Sequence, residues 1–147
     1  MGQSESLIKK WEGLHKKGKD GLIYAYLCPA LVPTIGYGTV VPSLSFGPIT
    51  ESKAEAFLRL DIAKAEASAI RASPVLLRYQ DKLDAITSFI YNLGIGRYKA
   101  STLRRKINEE DWESSAKEIK RWVWGGGRKL PGLVARRYEE SLLLWPS

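Results

Sequence analysis

Only one cysteine, Cys28, and one histidine, His15, occur in 147 residues. The single cysteine excludes an internal disulfide, and the two residues together supply too few soft ligands for a zinc centre, so no metal or organic cofactor is expected. Chemistry therefore falls to carboxylates, hydroxyls and one thiol. The N-terminus shows no basic stretch leading into an apolar one, so no secretory signal is expected. Met1-Gly2 with Ser6 matches a minimal myristoylation pattern, one short enough to arise by chance. A continuous membrane-spanning run is missing too. Leu22 to Val41 carries no charge, but Pro29, Pro33, Gly36 and Gly38 interrupt it, and its aromatic, Thr and β-branched residues suit strands, which excludes a membrane helix. Repeats, low-complexity tails and an interdomain linker are also absent.

What is present suits one globular domain. A chain of this length buries roughly 70% of its extended surface, and 44% hydrophobic residues supply the material. Lys and Arg outnumber Asp and Glu by 23 to 16, a net charge of +7, which draws polyanions: nucleic acid, anionic lipid or wall polymer. The cations are spread over several helical stretches with no DNA-binding motif among them, so nucleic acid is not the expected partner.

Local patterns predict an α+β order. Ser4 can cap a first helix with Leu7, Ile8, Trp11 and Leu14 on one face, ending at Gly13 and placing Glu12 in the last turn. Residues 15–49 change character. Lys19-Asp20-Gly21 is a turn signal, β-prone segments lie near 22–27 and 32–38, and glycines and prolines punctuate the rest, which predicts a small sheet. From Thr50 to 147 the period is helical. Ala56, Leu60, Ala63, Ala67 and Ile70 mark one helix, stopped at Ser73-Pro74, and Leu83, Ile86, Ile90 and Leu93 mark the next, ending at Gly94. Ser101 and Asp111 can cap two more, the second with Trp112, Ala116, Ile119 and Val123 inward until Gly125-Gly126-Gly127 breaks it. Val134, Tyr138, Leu142 and Trp145 mark the last.

Three reactive side chains crowd the first quarter of the chain. If the strands around Pro29 to Pro33 form a hairpin centred near Leu31, Cys28 and Thr34 lie opposite each other. Glu12 at the end of its helix faces the negative pole of the helix dipole, and burial against Trp11 acts the same way, which favours the protonated acid that general acid catalysis requires. Taken singly, each has an ordinary explanation: a solvated helix charge, a small core thiol and a strand threonine. Their combination at this spacing points to a hydrolytic site.

The residues resemble a known family, the phage-type lysozymes of glycoside hydrolase family 24. Trp11-Glu12-Gly13-Leu14, Ala25-Tyr26-Leu27-Cys28 and Thr34-Ile35-Gly36-Tyr37-Gly38 are similar to its signature, in the form of the P22-type branch, which has Cys in place of Asp. The resemblance extends through Ser88-Phe89-Ile90-Tyr91-Asn92-Leu93-Gly94, Ser101 to Asn108, Arg121 to Gly127 and Leu130 to Arg137. It implies a lysozyme-like α+β fold in a single catalytic domain over 1–147, with a β-rich part at 15–49 and a helical part at 50–147. Two features depart from the family pattern. Cys28 stands farther from Glu12 than usual, as if residues 15–21 were inserted, and this Lys- and Gly-rich insert is expected to lengthen the first hairpin, its basic tip reaching the wall. Thr39 replaces a common His. Asp20 lies nearer the family's usual spacing and is a rival for the second carboxylate, but it sits in a turn, and the register of Thr34-Ile-Gly-Tyr-Gly favours Cys28.

The resemblance implies hydrolysis of the β-1,4 bond between N-acetylmuramic acid and N-acetylglucosamine in peptidoglycan. Glu12 would protonate the leaving oxygen, Thr34 would position water, and Cys28 would stand where the second carboxylate stands. A thiol is mostly protonated at neutral pH, so base, nucleophile and aid to Thr34 all stay open for Cys28. Tyr91 and Asn92 match cleft-facing positions; Arg121 and Trp122 are weaker candidates, since Trp122 also suits a core. The expected protein is a monomeric endolysin, held in the host cytoplasm until a holin releases it to the periplasmic wall. Two other readings compete: a lytic transglycosylase, which needs no water-holding Thr34, and a non-catalytic wall-binding module.

Overall fold

The computed structural model describes residues 2–146; the myristoylation-like pattern begins at Met1, outside them. The chain divides into two compact units, one of residues 5–63 and the other of residues 64 onward together with the residues up to Ser4.

In the N-terminal unit, α1 (Ser4–Glu12) buries Leu7 and Ile8. Gly13 ends it at φ +70°, a left-handed conformation that glycine adopts without steric cost, and its N–H closes the last turn on Lys9 O at 3.0 Å. A three-stranded antiparallel sheet follows, β1 (Tyr26–Leu27), β2 (Pro33–Ile35) and β3 (Thr39–Val40). These strands are shorter than predicted. Of the first expected segment, residues 22–25 contribute only Ile23, which bridges to Lys17 and Ile49. Thr50 caps α2 (Glu51–Ala72), its Oγ1 accepting from Lys53 N at 3.1 Å; residues 51–63 of this helix belong to the N-terminal unit.

The predicted face of α2 is corrected. Ala54, Leu58, Ile62, Ala65, Ala69 and Ala72 are buried, whereas Leu60 is 61% exposed and Ala56, Ala63 and Ala67 are exposed too. Both stripes have helical spacing. Alanine is nearly neutral in the choice, so packing decides which face goes inside.

In the helical unit, Pro74 opens a 3-10 turn through Arg78, and the order continues as α3 (Gln80–Leu93), α4 (Ile95–Lys99), α5 (Thr102–Asn108), α6 (Trp112–Ile119), a hairpin of β4 (Trp124–Gly125) and β5 (Arg128–Lys129), and α7 (Pro131–Leu144). The two predicted caps form: Ser101 Oγ accepts from Arg104 N at 3.1 Å and Asp111 Oδ1 from Ser114 N at 3.2 Å. α3 is surrounded, with every residue from Leu83 to Ile90 buried. It packs on α7, α7 on α6 and α6 on α5. Phe89 is the hub, meeting Trp122 edge-on at 5.5 Å and Tyr98 at 6.2 Å. Burial pushes the Tyr98 phenol up to about 12, and its hydroxyl finds Ser73 Oγ at 2.7 Å.

Three expectations about this unit change. The short α4 was not foreseen. The triple glycine does not break α6, which stops at Ile119; Gly126 and Gly127, at φ +58° and +79°, make the two-residue turn of the β4–β5 hairpin. α7 is inverted relative to its apolar stripe, since Tyr138 is 56% exposed while Arg136, Arg137 and Glu140 are buried. Both arginines pair with the one carboxylate. Arg137 Nε lies 2.7 Å from Glu140 Oε1, an ion pair without hydrogen-bond alignment, while Arg137 Nη2 donates to Oε2 at 3.1 Å. Ser88 Oγ also donates to Oε2, at 2.5 Å, and accepts from Arg136 Nη2 at 3.2 Å. Burial still pushes the Glu140 carboxyl up, against the pull of Arg137 and Arg136.

Candidate active site

Glu12 is the last residue of α1, half-buried, and its backbone carbonyl meets His15 Nε2 at 2.9 Å. This contact holds a carbonyl that the helix end leaves without an intrahelical donor. The His15 ring in turn packs 5.1 Å from the ring of Tyr26 on β1.

The hairpin register differs from the one predicted. Tyr26 pairs with Thr34 and Leu27 with Pro33, so Cys28 falls opposite Val32, its N–H donating to Val32 O at 3.1 Å. A tight turn closes by Leu31 N donating to Cys28 O at 2.8 Å, with Leu31 at φ +62°. The hairpin is therefore centred on Ala30, one residue before Leu31. Because side chains alternate along a strand, Tyr26, Cys28, Val32 and Thr34 share a face, and Cys28 and Thr34 are diagonal neighbours on it. The Thr34 side chain thus stands diagonally beside that of Cys28.

The electrostatics of this face follow from the turn. The backbone N–H of Val32, then that of Ala30, stabilise negative charge on Cys28 and pull its thiol below the ordinary range, against a smaller opposing effect of burial. Thr34 is 3% exposed and donates its single hydroxyl proton to Val32 O at 2.8 Å. Its lone pairs stay available to accept. Tyr26 is pushed up by burial first, then by the charges of Glu12 and Cys28, which keeps the phenol neutral and a donor. Tyr26 is the strand partner of Thr34 and packs against the His15 ring. It lay in the signature Ala25-Tyr26, but neither spacing nor composition gave it a role of its own.

Gly36 explains the rigidity of the strand end that follows. Its φ is +66°, and a Cβ there would lie 3.0 Å from the Cβ of Ala54. Only glycine lets the chain turn so close to α2. Lys9 reinforces the same corner, paired with Glu55 at 3.1 Å and 5.5 Å from the Tyr37 ring centre. Thr39, standing where a histidine is common, donates to Asp61 Oδ2 at 2.8 Å and so fills its position with a polar contact.

Asp20 is occupied elsewhere. Its Oδ1 accepts from Leu22 N at 3.0 Å and its Oδ2 from Tyr24 Oη at 2.5 Å, and the Tyr24 bond is the main reason its carboxyl is held below the usual range. It closes the turn of the 15–21 segment, where Gly18 N bonds Leu22 O at 2.8 Å.

Tyr91 and Asn92 lie in the helical unit at the C-terminal end of α3, both half-buried. The Oδ1 of Asn92 is buried with no hydrogen-bond partner among the described residues. Arg121 pairs with Glu118 at 3.1 Å and is largely exposed, and Trp122 packs on Phe89. Among the described residues no group of three or more His, Cys, Asp and Glu side chains could hold a metal ion, and no helix is long and apolar enough to cross a membrane.

A small antiparallel sheet followed by a helical array is the lysozyme-like fold, and the family the chain matches makes it a glycoside hydrolase. The family described as phage lysozyme matches residues 9–140, and the chain belongs to that family. An endolysin of Acyrthosiphon pisum secondary endosymbiont phage 1 is 39% identical over 93% of this chain and 91% of its own length. An endolysin of Bacillus phage B103 is 34% identical over 94% of this chain, which spans 51% of that longer protein. The muramidase domain of SpmX from Asticaccaulis excentricus has the same fold, with a TM-score of 0.81 at 26% identity, covering 99% of this chain and 96% of that domain.

Proposed function

We propose that the protein is an endolysin muramidase that hydrolyses the β-1,4 bond between N-acetylmuramic acid and N-acetylglucosamine in bacterial peptidoglycan. Family membership supports the class of reaction. The observation that supports the assignment of residues is the hairpin face, where Tyr26 pairs with Thr34 and packs against His15, the residue that meets the Glu12 carbonyl.

In this reading Glu12 gives its proton to the departing glycosidic oxygen as the sugar ring gains oxocarbenium character. A water molecule donates one hydrogen to the lone pairs of Thr34 and the other to the Cys28 sulfur, which leaves its oxygen directed at the anomeric carbon. The lowered thiol favours a thiolate that takes up the proton the water loses, so Cys28 serves as general base. Tyr26 stays a neutral donor beside both groups. Tyr91 and Asn92, half-buried at the C-terminal end of α3, bind sugar. The protein acts as a monomer and reaches the wall after a holin opens the membrane.

Glu12→Gln tests this. Lysis of purified peptidoglycan should fall by the factor of about 10² to 10⁴ that general acid catalysis supplies, with the melting temperature retained. Mass spectrometry of the parent digest should show reducing muramic ends. Anhydro ends would mean a lytic transglycosylase, and no cleavage would mean a binding module.

A further inference from the structure

His15 takes no part in that reaction, yet it touches two of the elements assigned to it. Its Nε2 lies 2.9 Å from the carbonyl oxygen of Glu12, and its ring centre lies 5.1 Å from that of Tyr26. A carbonyl only accepts, so Nε2 carries the hydrogen of this contact. Tyr26 is in turn the strand partner of Thr34. One imidazole therefore joins the backbone of the proposed acid to the strands that carry the proposed water-holding hydroxyl, and all four residues lie in the N-terminal unit. The segment behind the imidazole is ordered by its own bonds. Tyr24 N donates to Lys16 O at 3.1 Å, Lys17 bridges to Ile23, and Gly18 N donates to Leu22 O at 2.8 Å, so residues 16–24 form a narrow ladder with His15 at its open end. Lys17 ties this ladder to α2 through Glu51 at 3.2 Å, and Lys16 is held at φ +59°, a left-handed conformation uncommon for a residue with a side chain.

Glu12 needs such a hold. It is the last residue of α1, where carbonyls lack intrahelical donors and the chain frays, and the glycine that follows does nothing to stiffen it. General acid catalysis is sensitive to placement, since a shift of about 1 Å can cost about 10²-fold in rate. We propose that His15 is a positioning residue of the glycosidase reaction, its Nε2–H on the Glu12 carbonyl and its ring on Tyr26 fixing the acid relative to β1 and β2. The role rests on the muramidase reading. It makes the 15–21 segment a support for the acid, where the sequence suggested only a basic tip. His15 is itself exposed, so its removal should leave the melting temperature near that of the parent, and an effect on turnover then reports placement, not folding.

The test measures kcat and KM of the full chain on soluble peptidoglycan strands, with melting temperatures taken alongside. His15→Ala should lower kcat by about 10–100-fold, the scale of a misplaced reacting group, and leave KM unchanged. His15→Phe keeps a ring against Tyr26 but has no donor, so its kcat should fall as well. His15→Gln brings an amide N–H to where Nε2 stands and should recover part of the loss. Should His15→Ala fold poorly, the Phe and Gln variants, which fill the same space, decide between them. A kcat equal to that of the parent in the Ala and Phe variants overturns the proposal, as does a change confined to KM or a Gln variant as slow as Phe. A parent protein that cleaves no strand refutes the muramidase reading and this role with it. A parent that cleaves, beside a His15→Phe variant of equal kcat, refutes the role of His15 alone.

Discussion

The buried charge cluster on α7 allows a sharp stability prediction from two adjacent residues of α3. Ser88 and Thr87 are both fully buried, yet their hydroxyls differ completely in use. Ser88 Oγ donates to Glu140 Oε2 at 2.5 Å and accepts from Arg136 Nη2 at 3.2 Å. Thr87 Oγ1 has no partner among the described residues. Ser88→Ala removes a hydrogen bond to a buried carboxylate, worth about 1.5–3 kcal/mol, and the one that Oγ accepts from the Arg136 guanidinium. Arg136 keeps its 3.2 Å bond to the Ser88 carbonyl, so its loss is partial. Alanine recovers about 0.5 kcal/mol of helix propensity. The net cost is about 2–3 kcal/mol, or about 4–12 °C in melting temperature for a chain of this size. Thr87→Val replaces an idle hydroxyl with a methyl group of similar shape, so its expected effect is neutral or a gain below about 1 kcal/mol. Scanning calorimetry of both variants is the measurement. A Ser88→Ala protein melting within about 1 °C of the parent, or a Thr87→Val protein losing as much as Ser88→Ala, would refute the idea that the hydroxyl holds the cluster together.

Alkylation of Cys28 by iodoacetamide, followed against pH, should show a midpoint below that of the same cysteine in urea, because the folded turn directs the N–H groups of Val32 and Ala30 at the sulfur. The sign is set by the lowered thiol: the folded protein reacts faster at mildly acidic to neutral pH, and an unchanged or raised midpoint contradicts the base role. Cys28→Asp should then keep more activity than Cys28→Ala. Gly36→Ala should cost about 1–2 kcal/mol in urea denaturation for the left-handed φ alone, with the 3.0 Å approach to Ala54 adding to it; a neutral variant would mean that this corner relaxes freely. Asp20→Asn should leave lysis near the parent rate, since that carboxylate closes its own turn. A loss of about 10²-fold, the scale of general acid–base catalysis, would instead make Asp20 catalytic.

The sequence by itself determined what is local. Ser101 and Asp111 cap the helices that follow them because a side-chain oxygen needs only an N–H three residues ahead. Gly13 and Gly94 end α1 and α3 through their own positive φ. The proposed trio was drawn from motif spacing and a hairpin turn, which are short-range facts, although the register slipped: the turn closes between Cys28 and Leu31, and only the ladder shows that Tyr26, not Cys28, faces Thr34. Tertiary structure decided the faces. α2 offers two apolar stripes of equal period, and burial of Leu58 and Ile62 leaves Leu60 outside. α7 turns Arg136, Arg137 and Glu140 inward against its hydrophobic pattern. A buried charge is tolerated only where a partner neutralises it, and here Ser88, which donates to Glu140, lies 52 residues away in the chain. Periodicity cannot see a partner at that distance. Packing can, and it places polar groups in a core where the sequence alone predicts Val134 and Tyr138.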